Sequence, residues 1–179
     1  MNVIPPFPHR LAQAGLQGLP FLLIGGHAVF AHGHPRTTLD VDLIIPESSV
    51  SAWKNWAELH HYTLLQETPA FLQFQKTRES GPPLDLMKTD PKTYQLLESE
   101  HMKQDLAGTT LPVVSLFHLL ALKLHSLKSS SRQLSSDLQD ILILVRKNRI
   151  DPASPGFQDI LTQYADTKTK AKVLRLLQE

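Results

Sequence analysis

The sequence predicts an α/β (α+β) fold: a mixed sheet flanked by helices over residues 1–114, followed by a helical subregion over residues 115–179. Three observations predict it. From Leu19 to Ile45, an apolar run ends at Gly25-Gly26, a segment with helical spacing follows, and a Pro35-Arg36-Thr37 turn leads into Leu39-Asp40-Val41-Asp42-Leu43. That order reads as strand, glycine turn, helix, strand. Between residues 62 and 87, three short runs have strand character: Tyr62 to Leu65, Ala70 to Lys76 with Leu72 and Phe74 alternating against Phe71, Gln73 and Gln75, and Leu84 to Met87. After Ser115 the period changes, with Leu116, Leu119, Leu120, Lys123, Leu124 and Leu127, then Leu138, Ile141, Leu142 and Val145, at helical spacing.

The remaining elements follow in order. Pro5, Pro6 and Pro8 precede RLAQAGLQGL, a helix expected beside the first strand. Pro46 ends the second strand, and Ser48 or Ser49 caps a helix on which Trp53 and Trp56 share a face and enter the core. Gly81-Pro82-Pro83 marks a turn. Asp90-Pro91 supplies an N-cap and a first-turn proline for a helix expected to run to about Lys103, and Thr109 to Val114 is a strand. A Ser-rich break at 129–131 separates the two strong helices, and one or two more are expected after Asp151-Pro152. With no internal repeat and no long linker, a single domain is expected, its helical part closing one wall of a cleft.

Composition narrows the class. Hydrophobic residues make up 41% and charged residues 20%, and the formal net charge is +1, so the whole-chain charge gives no polyelectrolyte signal. With no cysteine there is no disulfide, thiolate zinc site or cysteine nucleophile. The start MNVIPPFPHR has no apolar signal core, and the apolar stretch Leu111 to Leu124 is shorter than a span of about 20 residues, so a cytoplasmic protein without a membrane partner is expected. The P-loop, dinucleotide and nucleophile-elbow patterns are absent.

Asp40 and Asp42 carry the chemistry. In a strand, residues i and i+2 share a face with Cα atoms roughly 6.5–7 Å apart, so both carboxylates reach one hard cation or a pair of them. Leu39, Val41 and Leu43 then face the core. Two acids on so apolar a strand need pairing or coordination, and Mg²⁺ would meet that need. Gly25 and Gly26 either form a tight turn only or let a phosphate approach the backbone at a helix start. Carboxylates for metal and amides for phosphate together suggest a nucleoside triphosphate.

Gly25-Gly26-His27-Ala28, the Pro35-Arg36-Thr37-Thr38 turn and Asp40-x-Asp42 together resemble the signature of the DNA polymerase beta-type nucleotidyltransferase superfamily. In wording they are most similar to AbiEii-type toxin nucleotidyltransferases and related small bacterial proteins. The resemblance implies a nucleotidyltransferase-like sheet, Mg²⁺ (or Mn²⁺), a nucleoside triphosphate substrate, and a third carboxylate on a later strand, for which Asp85 is the candidate. It implies transfer of a nucleoside monophosphate to a hydroxyl, on an RNA 3′ end such as that of tRNA or on a protein side chain, with pyrophosphate released. Asp85 would hold metal or accept the hydroxyl proton. A cognate toxin or antitoxin chain is a further implied partner. The alternatives are a catalytically weak nucleotide- or partner-binding module of the same fold, and an aminoglycoside-type enzyme, which needs an acidic acceptor pocket.

Lys123, Arg132, Asp137 and Asp140 resemble the family's carboxy-terminal helix pair, with Ser136 in place of the usual lysine and Ser126 in place of alanine. Lys123 interrupts a leucine-rich face, where it either meets phosphate or belongs to a charged surface. Asp137 and Asp140 share a face and would orient Lys123, Arg132 or Arg36. Arg36 either grips triphosphate or pairs with Asp40 or a later helix acid. His27 offers a phosphate or base contact, whereas His32, His34, His60, His61 and His125 read as structural or exposed. Thr37 and Thr38 read as backbone-bonding turn residues.

Overall fold

The strands are β1 (Leu22–Leu23), β2 (Val41–Pro46), β3 (Thr63–Glu67), β4 (Phe71–Gln75), β5 (Leu84–Thr89), β6 (Met102–Leu106) and β7 (Thr109–Val113), and they form one mixed sheet in the order β3-β4-β5-β2-β1-β7-β6. The structure is a computed structural model that describes residues 7–77, 81–129 and 134–179. The helices are α1 (Phe7–Leu16), α2 (Gly25–Ala31), α3 (Val50–Leu59), α4 (Pro91–Ser99), α5 (Leu116–Ser129), α6 (Leu134–Lys147), α7 (Pro155–Tyr164) and α8 (Thr167–Gln178). They divide between two compact units. A sheet unit holds the described residues up to Ala31 and Thr37–Val114, and a helical unit holds His32–Arg36 with the described residues from Ser115 onward. Among the described residues no helix is long and apolar enough to cross a membrane.

In the sheet unit, β2 is central. It lies parallel to β5 and antiparallel to β1, which is itself parallel to β7. A strand covered on both faces has no reason to alternate. Accordingly, Val41, Leu43, Ile44 and Ile45 are all buried and Asp42 alone interrupts them. Trp53 of α3 is fully buried, with Nε1 donating to the Pro20 carbonyl at 3.1 Å and its ring edge-on to Phe21 and Trp56. Both tryptophans are core, as their spacing predicts.

Three expectations need correction. The first strand is only Leu22–Leu23, not Leu19 to Ile24. Leu39 is 82% exposed rather than in the core, because pairing with β5 begins at Val41 and residues 39–40 form a bend before the strand. The third concerns α4. Asp90 accepts from Thr93 N–H at 3.0 Å with Pro91 in the first turn, as read from the sequence, yet the helix stops at Ser99 and Met102–Leu106 is strand β6. Ala107 (φ 55°) and Gly108 (φ 78°) explain why. Positive φ at both central residues matches the twist of a two-residue hairpin, so β6 folds back on β7 with Leu106 opposite Thr109.

In the helical unit, α5 packs on α6 and α7, and α6 on α8. Leu119, Leu120, Leu124, Ile141, Leu144, Phe157, Leu161 and Val173 are fully buried. The segment His32–Arg36 is tied in by side chains of α6: Asn148 Nδ2 donates to the His32 carbonyl at 3.1 Å, and Arg36 pairs with Asp140.

Candidate active site

Asp42 and Asp85 are register partners on the parallel strands β2 and β5, so their side chains rise from the same face of neighbouring strands about 4.8 Å apart. Asp40 arrives differently. It precedes β2, and Thr38 Oγ1 donates to its Oδ1 at 2.8 Å, which sets the carboxylate toward the other two. Thr38 Oγ1 also donates to the Asp40 carbonyl at 3.4 Å, the backbone bond its turn position suggests, so it holds both the main chain and the side chain of this acid. One oxygen from each of Asp40, Asp42 and Asp85 lies within 4.8 Å of the others, and none of the three residues is buried. An all-carboxylate oxygen set of this span suits a hard divalent cation, Mg²⁺ or Mn²⁺, which would also relieve the repulsion among three like charges.

The glycines are explained by these acids. Gly25 sits at φ 60°, and a Cβ there would lie 1.9 Å from Asp42 Oδ2. A Cβ on Gly26 would lie 2.6 Å from Thr38 Oγ1. The bare backbone at 25–26 thus makes room for Asp42 and for the residue that sets Asp40. Gly25→Ala is expected to push the Asp42 carboxylate aside and to add about 1–2 kcal/mol of left-handed backbone strain. Titration with Mn²⁺, followed by electron paramagnetic resonance, should show at least about tenfold weaker binding, equivalent to about 1.4 kcal/mol.

Asp85 is perturbed. Partial burial pushes its carboxyl above the usual range, the Gln73 amide lowers it, and the Asp40 charge raises it again. Gln73, opposite Asp85 on β4, donates from Nε2 to Asp85 Oδ2 at 3.4 Å. Its strand alternation places it on the open face, but nothing in the sequence alone pairs it with Asp85. A raised carboxyl favours the folded state in its protonated form, a preference present below the unfolded value and lost as pH rises through the folded one. Without cation at pH 7, Asp85→Asn should therefore melt at a higher temperature than the wild type. The difference should vanish below about pH 4, and Mn²⁺ should raise the melting temperature of the wild type more than that of the variant. Calorimetric scans across pH, with and without Mn²⁺, measure both effects.

His27 lies beside Asp40. Burial lowers its pKa, with the charge and main chain of Asp40 opposing the shift, so its ring is neutral at pH 7. His60 packs on Trp56 with ring centroids 4.2 Å apart, in keeping with its structural assignment.

The remaining candidates belong to the helical unit. Lys123 Nζ lies 2.8 Å from both Asp137 Oδ1 and Asp140 Oδ2, and Arg36 Nη1 lies 2.6 Å from Asp140 Oδ2. Of the partners open to Arg36, the structure gives it the later helix acid rather than Asp40. Lys123 is 6% exposed and Asp140 3%, so this is a buried network rather than a solvated charged face. Arg132 lies outside the described residues.

No family model and no curated protein sequence matches the chain. Solved structures do match it. The antibiotic-resistance factor ANT(2'')-Ia is similar over 94% of this chain and 92% of its own, with a TM-score of 0.68 and 14% identity. An antigenic nucleotidyltransferase-like protein from Paracoccidioides brasiliensis is similar over 94% of this chain and 88% of its own, with a TM-score of 0.57 and 18% identity. The lincosamide antibiotic adenylyltransferase LnuA, in a lincomycin-bound structure, matches 76% of this chain and 92% of its own, with a TM-score of 0.54 and 17% identity. The fold is thus that of the nucleotidyltransferases.

Proposed function

We propose that this chain is a metal-dependent nucleotidyltransferase that moves a nucleoside monophosphate from a nucleoside triphosphate to a hydroxyl. The observation that carries the proposal is the convergence of Asp40, Asp42 and Asp85 within 4.8 Å on one face of a nucleotidyltransferase-type sheet. Bound Mg²⁺ or Mn²⁺ would supply Lewis-acid stabilisation of charge at the transferring phosphoryl group. Asp40, Asp42 and Asp85 would hold the cation. Asp85, raised by burial, is the group suited to take the proton of the attacking hydroxyl. The acceptor oxygen bonds to the α-phosphorus, the bond from that phosphorus to the bridging oxygen breaks, and pyrophosphate leaves with the electron pair.

Gly25 and Gly26, packed against Asp42 and Thr38, and His27, beside Asp40, are assigned to the triphosphate. Arg36 and Lys123 have their charges met by Asp137 and Asp140, so we assign these four to holding the helical unit rather than to phosphate. The acceptor is an RNA 3′ end or a protein side chain, in a toxin–antitoxin setting of the AbiEii type. A second reading is a small-molecule acceptor. It draws on LnuA, solved with lincomycin, and on ANT(2'')-Ia, solved with adenylyl-2''-tobramycin. A catalytically weak binding module is the third.

Calorimetry with each nucleoside triphosphate and Mg²⁺, followed by transfer of labelled nucleotide to RNA, to protein or to an aminoglycoside, tests these together. Metal-dependent binding without transfer to any acceptor would leave the binding module, and no binding at all would remove the site.

A further inference from the structure

The net charge of +1 conceals a segregation. Residues 115–179 carry 10 Lys and Arg against 6 Asp and Glu, whereas residues 1–114 carry 8 against 11. Most acids of the helical unit are already engaged. Asp137 and Asp140 neutralise Lys123 and Arg36, Asp166 caps α8 by accepting from Thr169 N–H, and Asp151 accepts from Ala153 N–H. Among the described residues, several of the other cations lie on α8 and at the end of α6. Lys168, Lys172 and Arg175 are exposed on one stripe of α8, spaced by four and three residues over about 10 Å. Arg146, Lys147 and Arg149 are exposed at the end of α6, and Arg146 Nη2 donates to the Leu176 carbonyl at 2.6 Å, which sets that end beside the last turn of α8. Glu179 lies 3.9 Å from Arg175 Nε.

We infer that the stripe of Lys168, Lys172 and Arg175 on α8, with Arg146 beside its last turn, is a docking surface for the phosphate backbone of single-stranded RNA. A row of long cations matches a row of phosphates, and neutralising them releases counterions. An anionic membrane needs apolar side chains to insert beside the cations. Among the described residues, the large apolar side chains that are exposed include Leu16, Leu39, Leu59, Leu65 and Leu96, and none lies on α6 or α8. The surface deepens the proposed transferase, resting on that reading only in making the bound RNA its acceptor.

The test uses the full chain and a fluorescein-labelled 20-nucleotide single-stranded RNA of mixed sequence, with fluorescence anisotropy read from 50 to 300 mM salt. Wild type should bind with a log–log salt slope of about −2 or steeper, from three or more contacts at about 0.7 each. The variant K168E/K172E/R175E should bind at least tenfold more weakly at 50 mM salt, with a flatter slope. K76E/K92E/K103E, which reverses three exposed lysines of the sheet unit and changes the net charge equally, should bind within about twofold of wild type. K168Q/K172Q/R175Q, with far-UV circular dichroism on every protein, separates a lost surface from a lost fold. Equal losses in both reversed variants, no binding at 50 mM, or binding to phosphatidylglycerol vesicles but not RNA would each overturn the proposal. RNA binding without nucleotide transfer would keep the surface and remove the transferase, and transfer to another acceptor without RNA binding would do the reverse.

Discussion

Asp42→Asn is expected to lower nucleotide transfer by about 10³-fold or more while leaving the unfolding transition close to that of wild type. The carboxylate is removed from a set of three whose oxygens lie within 4.8 Å of one another, at the position paired with Asp85 across β2 and β5. Hard cations are held by charge as much as by geometry, and the amide keeps the shape and loses the charge. Lewis-acid stabilisation of a transferring phosphoryl group amounts to several kcal/mol, and about 4 kcal/mol corresponds to the stated loss in rate. Asparagine is isosteric, so the close fit of residue 42 over Gly25 survives. Two measurements check the expectation: single-turnover transfer with saturating nucleotide, and Mn²⁺ binding by electron paramagnetic resonance, where affinity should fall at least about tenfold, worth about 1.4 kcal/mol. Activity and Mn²⁺ affinity both within twofold of wild type would remove Asp42 from the proposed metal site and the proposed chemistry with it.

How much of this was legible in the sequence depends on the range of the cause. The strands β2, β4 and β5, the Asp90 cap and the helical period after Ser115 are local patterns, and each is read within a few residues. The end of α4 was not, because Ala107 is not one of the Asn, Asp or Gly residues that announce such a hairpin turn and Met102–Leu106 has no partner until β7 is in place. The site shows the same division. Asp40 and Asp42 were found as a pair two residues apart, but the strand alternation that suggested them does not place Asp40. Its carboxylate is set by Thr38, and Leu39 beside it is 82% exposed. Gly25 looked like a phosphate-binding glycine, and the structure adds a reason no linear pattern carries, since a Cβ there would occupy the space of the Asp42 carboxylate. Gln73 reaches Asp85 through the register of β4 on β5, which the chain reveals only once paired.

The buried charges of the helical unit were legible as residues but not as a network, and they carry the largest expected effect on stability. Asp140→Ala should destabilise the helical unit by about 3 kcal/mol, at the low end of the 3–5 kcal/mol for breaking a buried pair. Asp140 Oδ2 meets Lys123 at 2.8 Å and Arg36 at 2.6 Å, with side-chain exposures of 4%, 7% and 30%. Lys123 keeps Asp137 at 2.8 Å, and Arg36 is solvated enough to recover part of its hydration, which is why the low end applies. The loss should be visible as a lower urea midpoint with an unchanged slope, and as faster amide exchange in residues 32–36, which Arg36 ties to α6. Asp137→Ala, at an acid with 17% side-chain exposure and one cationic partner among the described residues, should cost less. Replacing Lys123 with Met and both acids with Leu removes the desolvation penalty of the inner ions together with their attraction. That triple variant should be more stable than Asp140→Ala alone. If it is not, the charges hold the unit through geometry that apolar side chains of similar size do not reproduce, and the assignment of Lys123, Asp137 and Asp140 to a replaceable structural role fails.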